Sequence, residues 1–182
     1  MIFPRFRRNP RGPDTISGLY GMIVAQARLP CFYRDYAVAD TVNGRFDLIV
    51  LHLVLLLDRL AQDPALRNLG QALFDHFCQD MDHNLREMGV GDLAVPKEMR
   101  RVGEAFYGRS EAYGAALAVG DNGALVEALR RNIYGGSPAA VAATPRLAAY
   151  MREALRGLGM QGDLAAGKLR FPDPTLSFKT AK

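Results

Sequence analysis

One apolar run decides most of what this chain can fold into. Between Gly44 and Ala61 the sequence reads GRFDLIVLHLVLLLDRLA, with apolar residues on nearly every side of a helix drawn through it. A helix that is apolar all round has to be buried all round. Its most hydrophobic part, Phe46 to Leu57, falls well short of the roughly 20 residues that a membrane-spanning helix needs. The run therefore predicts the central helix of a soluble protein, with His52 as a hydrogen-bonded residue of the core or its boundary and not a ligand.

Helical spacing continues on both sides of this run. Apolar residues recur at steps of three and four, no segment alternates as a strand would, and 182 residues suit a single core. Proline, glycine and acidic capping residues mark the helix ends, among them Asp63 with Pro64, Gly89, Asp121, and Thr144 with Pro145. The sequence predicts an all-α protein, a single-domain irregular bundle of about six helices. We divide it into a flexible basic arm (1–13), a helical domain (14–168) and an extended C-terminal tail (169–182).

Charge is distributed unevenly along the chain. Residues 63–92 hold six acids and two arginines, a net charge of −4, and because the whole chain carries +4 the remainder carries +8. Such asymmetry favours oriented docking on an anionic surface such as a membrane or a ribosome. The candidate contacts are the arginines of the arm and the aromatic residues of the connection that follows Pro30. They are Arg5, Arg7, Arg8, Arg11, Phe32, Tyr33 and Tyr36.

The compartment is predicted from the cysteines and the N-terminal sequence. Cys31 and Cys78 fall in different predicted elements without a CxxC spacing, which favours a reducing compartment over a disulfide framework. The basic start MIFPRFRRNPRG is followed by proline and aspartate and not by an apolar run, so no secretory signal is predicted. We expect a cytoplasmic protein.

A strip of polar residues on the helix after Pro64 resembles part of a metal site. His76, Asp80, His83 and Glu87 follow one another at steps of four, three and four. Carboxylate-bridged di-iron bundles need matching Glu and His on further helices, and no other predicted helix supplies them. The chain also has no GxSxG, GxGxxG, HExxH or phosphate-loop motif. No metal, cofactor or catalytic residue is predicted, and the protein is not expected to be an enzyme.

The end of this helix and the start of the next carry a resemblance. The run DMDHNLREMGVGDLAVPKEMRRVGEAFYGR, Asp80 to Arg109, closely resembles the signature of the ubiquinol-cytochrome c chaperone family in its bacterial form. The helix at Ile16 to Arg28 and the FDLIVLHLVLLLDRL helix fit the same family, so the resemblance covers about residues 12–150.

The resemblance implies a non-enzymatic assembly factor. Its client would be newly made cytochrome b, the membrane subunit of respiratory complex III, and its place the cytoplasmic face of the inner membrane. Further partners that it suggests are the ribosome near its tunnel exit, an anionic membrane surface and a small partner subunit. The family supplies no catalytic residue to transfer. Candidate contact or scaffold positions in the signature run are Asp80, Asp82, Arg86, Val90, Gly91, Asp92, Phe106, Tyr107 and Arg109.

Two other functions remain open on the sequence. One is a metal- or haem-binding helical bundle that uses His76, Asp80 and His83. The other is an adaptor that binds RNA or the ribosome through the basic face, for which binding would depend strongly on salt.

Overall fold

The chain is described by a computed structural model over residues 13–120, 122–137 and 140–177, all of it helices and connections with no strand within these ranges. The all-α, single-domain prediction is confirmed. The predicted cap Asp121 and the arginines of the arm lie outside the described residues. The helices are α1 (Pro13–Ala27), α2 (Pro30–Arg34), α3 (Val42–Ala61), α4 (Arg67–Glu87), α5 (Val95–Ala118), α6 (Gly123–Asn132), α7 (Ala140–Gly159), a 3₁₀ turn (Leu164–Ala166) and α8 (Pro174–Ser177).

Helix α3 is the centre of the bundle, as the apolar run predicts. It packs against α1, α4, α5 and α7, and most of its residues from Leu48 to Leu56 are fully buried. Thr41 caps its N-terminus, because the hydroxyl oxygen accepts a hydrogen bond of 3.1 Å from the Gly44 amide. A Cβ at Gly44 would lie 2.0 Å from the Ala39 carbonyl oxygen. Only glycine fits where the chain enters its central helix.

Two polar residues of α3 are buried, Asp47 and His52. The His52 ring places Nδ1 2.7 Å from the Leu48 carbonyl oxygen and Nε2 2.8 Å from the Tyr150 hydroxyl. The prediction of a hydrogen-bonded core histidine is confirmed. Burial lowers the pKa of His52 to about 4, and the hydrogen bond to Leu48 opposes that shift. The ring is therefore neutral at physiological pH.

Two helices begin at other residues than the sequence predicts. Helix α4 begins at Arg67 and not at Pro64, because Asp63 caps a separate turn in which its Oδ1 accepts a hydrogen bond of 2.9 Å from the Ala65 amide. Helix α7 begins at Ala140, which places Pro145 inside it. Thr144 is fully buried, so packing against the core holds the turn ahead of the proline.

The aromatic connection after Pro30 differs most from expectation. It forms the short helix α2, and Phe32 and Tyr36 are both completely buried. The Phe32 ring centre lies 5.1 Å from that of Tyr150. The prediction that Phe32 and Tyr36 contact a membrane or ribosome is therefore wrong, since both rings serve the core, where burial of their large apolar area stabilises the fold.

Candidate partner-binding surface

Helices α4 and α5 form a hairpin that carries the signature run. Aromatic rings join the two helices: the Phe106 ring centre lies 4.8 Å from that of Phe74 and 5.8 Å from that of Phe77. Phe106 is almost fully buried, so it serves as scaffold and not as an exposed contact. The Tyr107 ring packs 5.9 Å from Phe74 on the outside and is 63% exposed.

The turn between the helices is held by main-chain hydrogen bonds. Gly89 has a φ of 83°, the left-handed conformation predicted for a helix stop. The Val90 amide donates to the Leu85 carbonyl at 3.0 Å, and the Ala94 amide donates to the Gly91 carbonyl at 2.7 Å. Because these bonds use no side chain, the turn keeps its shape independently of the side chains it presents.

Charged residues bridge the last turn of α4 and this exit turn. The Arg86 guanidinium donates to Asp82 at 2.7 Å and also to Asp92. The hydrogen bond from Arg86 lowers the pKa of the Asp82 carboxyl. All three side chains are well exposed, so water and salt screen the pairing, and its contribution to stability is small.

Apolar side chains project beside these charges. Leu93 is completely exposed, Met88 is 58% exposed, and Val90 is half-buried. We call Asp82 and residues 86–93 the hairpin tip. A rigid turn that presents apolar groups within a charged surround has the composition of a contact surface.

Asp80 and the histidines of α4 do not join this tip. Asp80 accepts a hydrogen bond of 2.8 Å from the Tyr20 hydroxyl, which ties α4 to α1. The His76 ring stacks edge-on against Tyr20 at 5.1 Å, and His83 lies 3.1 Å from Glu87. Burial, followed by the bond to Asp80, raises the pKa of Tyr20. In the described ranges, no three His, Cys, Asp or Glu side chains are grouped as a metal ion would require.

Arg109 lies at the inner side of the hairpin as scaffold. Its guanidinium donates to Asp47 at 2.6 Å and to the Ala105 carbonyl at 3.1 Å, and it lies 5.7 Å above the Phe46 ring. Burial raises the pKa of Asp47 to about 6 while Arg109 opposes that rise. The Arg109 Nε and the Tyr113 hydroxyl are buried and meet no hydrogen-bonding partner among the described residues.

Sequence reasoning missed this pair, although an acid in an apolar run was a usable signal. A buried carboxylate requires a cation nearby, and the partner had to come from another helix. Of the signature positions, the structure brings Asp82, Arg86, Val90, Gly91 and Asp92 together at the tip and places Asp80, Phe106 and Arg109 inside.

The remaining predicted contact, Tyr33, lies elsewhere on the molecule. Its hydroxyl donates to the Ala27 carbonyl at 2.9 Å, and its half-buried ring lines a surface depression of about 490 Å³. The other residues that line the depression are Arg28, Pro30, Arg34, Asp40 and Arg45. In the part of the chain that the structure describes, every helix is too short or too polar to cross a membrane.

The comparisons with known proteins agree with this geometry. The crystal structure of the Cbp3 homolog from Brucella abortus superimposes with a TM-score of 0.83 at 39% sequence identity, covering 93% of this chain and 94% of that one. A comparison with curated proteins finds no match. The family model described as ubiquinol-cytochrome C chaperone matches residues 34–171, which include the central helix and the whole hairpin. The chain therefore belongs to the ubiquinol-cytochrome C chaperone family.

Proposed function

We propose that this protein is a non-enzymatic chaperone that binds newly made cytochrome b and supports assembly of ubiquinol-cytochrome c reductase, respiratory complex III. The observation that carries the proposal is the family match over residues 34–171. The likeness in fold to the Cbp3 homolog over nearly the whole of both chains supports it.

The hairpin tip is the client contact in this proposal. A newly made membrane protein exposes apolar segments until it is inserted, and a holder must offer apolar surface that is itself accessible. Leu93 and Met88 offer such surface on a turn that main-chain hydrogen bonds hold rigid. The charges of Asp82, Arg86 and Asp92 around them keep the free tip hydrated.

Deletion of the gene followed by absorbance spectroscopy of membranes tests the function. The expected result is a selective loss of b-type haem and of complex III activity, restored by the wild-type chain. Membranes that keep both at wild-type levels would refute the proposal.

Charge reversal at the tip tests the contact. Asp82→Lys with Asp92→Lys should reduce co-purified cytochrome b several-fold and leave the helical circular dichroism unchanged, since both side chains are exposed. A matched control reverses Glu104 and Glu111, which are exposed along α5 away from the tip. Equal loss in both variants would mean that net charge, and not the tip, determines capture.

Peripheral attachment to the cytoplasmic face of the inner membrane completes the proposal. The arginines of the arm and Tyr33 in its arginine-lined depression are the proposed contacts, because anionic headgroups attract clustered cations. Flotation should bring the protein up with anionic liposomes and leave it behind with neutral ones. Equal flotation with both would count against this part.

A further inference from the structure

The segment after the 3₁₀ turn packs against the helical body of the protein. We call residues 169–174 the strap. Leu169 is 6% exposed and Pro174 is buried, although the sequence predicts an extended surface tail here. Residues 169–173 have no regular secondary structure and pack against the helical body, and the chain then forms the short helix α8, which the sequence does not predict.

The body holds the strap by its main chain. The carbonyls of every second strap residue, three in all, each accept a hydrogen bond from a side chain of the body. The Gln161 side chain also accepts one of 2.9 Å from the Arg170 amide. A spacing of two residues is the one at which an extended chain turns successive carbonyls to the same side, and Pro174, the last of the three, is also the first residue of α8. The bonds run from Gln161 to Arg170 (2.7 Å), from Gln26 to Pro172 (3.1 Å) and from Tyr36 to Pro174 (2.6 Å).

Aromatic rings form the floor under the strap. The Phe171 ring stands edge-on to His52 with 4.9 Å between ring centres. His52 is hydrogen-bonded to Tyr150, and the Tyr150 hydroxyl also accepts a bond of 3.0 Å from Gln26. The same Gln26 amide therefore joins the floor to the strap. These contacts fix the groove side chains in one arrangement.

The strap sequence suits such a groove. Pro172 and Pro174 each hold φ near −65°, and a proline also biases the residue before it toward extended backbone. Such segments lose little conformational entropy on binding, which is why aromatic-lined grooves recognise them in other proteins. Asp173 and Arg170 are exposed, and the Asp173 carboxylate accepts hydrogen bonds from the amide and the hydroxyl of Thr175 at the start of α8. Recognition rests on backbone carbonyls, one aromatic ring and the prolines.

We infer that this groove is a binding site for extended, proline-containing peptide segments, with the strap as its resident ligand, which an extended segment of the client displaces. That the displacing segment belongs to the client rests on the proposed function, whereas the peptide site itself does not. Because the groove hydrogen-bonds main-chain atoms, it accepts different sequences that share the extended shape.

A synthetic peptide tests the site directly. The probe is fluorescent FPDPTLS, the sequence of residues 171–177, with an acyl group at its N-terminus whose carbonyl stands where that of Arg170 lies. The receptor is the full chain with Phe171→Ala and Pro174→Ala, which frees the strap and leaves the groove intact. We expect this variant to bind the probe at least about tenfold tighter than wild type, whose own strap competes intramolecularly. The matched control is Leu176→Ala, because Leu176 is 56% exposed.

A groove variant then checks the hydrogen bonds. Tyr36→Phe, added to the strap variant, removes the donor to Pro174 and should weaken probe binding about fivefold, as expected for one hydrogen bond. Failure of a folded strap variant to bind the probe would overturn the inference. So would equal binding of a peptide in which the phenylalanine and both prolines are alanine.

The wild-type chain provides a second test if the strap variant does not fold. Excess peptide should displace the strap and accelerate tryptic cleavage after Arg170, and the peptide itself has no basic residue to cleave. Unchanged cleavage at saturating peptide would overturn the inference. Neither assay involves complex III, so the two proposals can fail separately. If the chain supports assembly but does not bind the peptide, only the peptide site is refuted. If it binds the peptide but its deletion causes no assembly defect, only the proposed function is refuted.

Discussion

Two buried polar residues of the central helix, Asp47 and His52, find their hydrogen-bonding partners in different ways. Asp47 meets Arg109 of α5 as an ion pair, beside two buried polar atoms that find no hydrogen-bonding partner in the described parts of the chain. His52, five residues on, meets Tyr150 of α7 as a neutral ring with both nitrogens engaged. Loss of one partner leaves a buried charge at the first contact, whereas at the second the Tyr150 hydroxyl keeps another partner, Gln26, when His52 is replaced.

Removal of the cation from the first contact should have the largest effect. Arg109→Met leaves the Asp47 carboxylate buried without a partner, and such a loss typically costs about 3–5 kcal/mol of unfolding free energy. Urea denaturation followed by circular dichroism measures it. Arg86→Met, the exposed counterpart on the same hairpin, is the matched control and should leave the midpoint almost unchanged. Equal destabilisation by both would remove the distinction between inner and outer pairs.

The pH dependence of stability should separate the two contacts by sign. The pKa of Asp47 rises from 3.8 to about 6 on folding, so its contribution is present below pH 4 and is lost as pH rises through 6. The pKa of His52 falls from 6.5 to about 4, so its contribution is present above pH 6.5 and is lost as pH falls toward 4.

Variants make these opposite slopes visible. Between pH 4 and 6 the stability of His52→Phe should fall as pH rises, and that of Asp47→Asn should increase. Each change is on the order of 2 kcal/mol, from 1.36 kcal/mol per unit of pKa. Urea midpoints across this range measure both. Slopes of the same sign would contradict a raised pKa for Asp47 together with a lowered pKa for His52.

The smallest effect is expected at the neutral contact near pH 7. His52→Phe keeps an aromatic ring among Phe32, Tyr150 and Phe171 but removes the hydrogen bonds to the Leu48 carbonyl and to the Tyr150 hydroxyl, which still accepts from Gln26. The expected loss is about 1–2 kcal/mol, the net contribution of two hydrogen bonds. A loss as large as that of Arg109→Met would show that the network is as fragile as the ion pair.

The sequence predicted the fold well where one signal was strong and local. The apolar run located the central helix, and the glycine after Met88 located the end of α4. Helix starts were less certain, because Asp63 and Thr144 can cap a turn as readily as a helix. Local chemistry does not say which of the two packs better.

The side-chain contacts between helices were harder to predict, because the two partners of each contact come from distant parts of the sequence. The tip residues are neighbours in sequence, so Asp82 with Arg86 could be paired from spacing alone. Asp47 with Arg109, and Tyr36 with Pro174, lie far apart in the chain. An aromatic loop and a proline-rich tail each look exposed until their contact with one another is known.

The main-chain hydrogen bonds of the exit turn make its shape independent of its exposed side chains. Since Val90 and Ala94 hold the turn with their amides, substitutions at Leu93, Met88 and Asp92 change the exposed side chains without altering the geometry that presents them. In the chaperone role that we propose, these side chains can therefore vary with the client while the fold of the turn is unaffected. Gly89 differs from them, because its left-handed φ of 83° favours glycine.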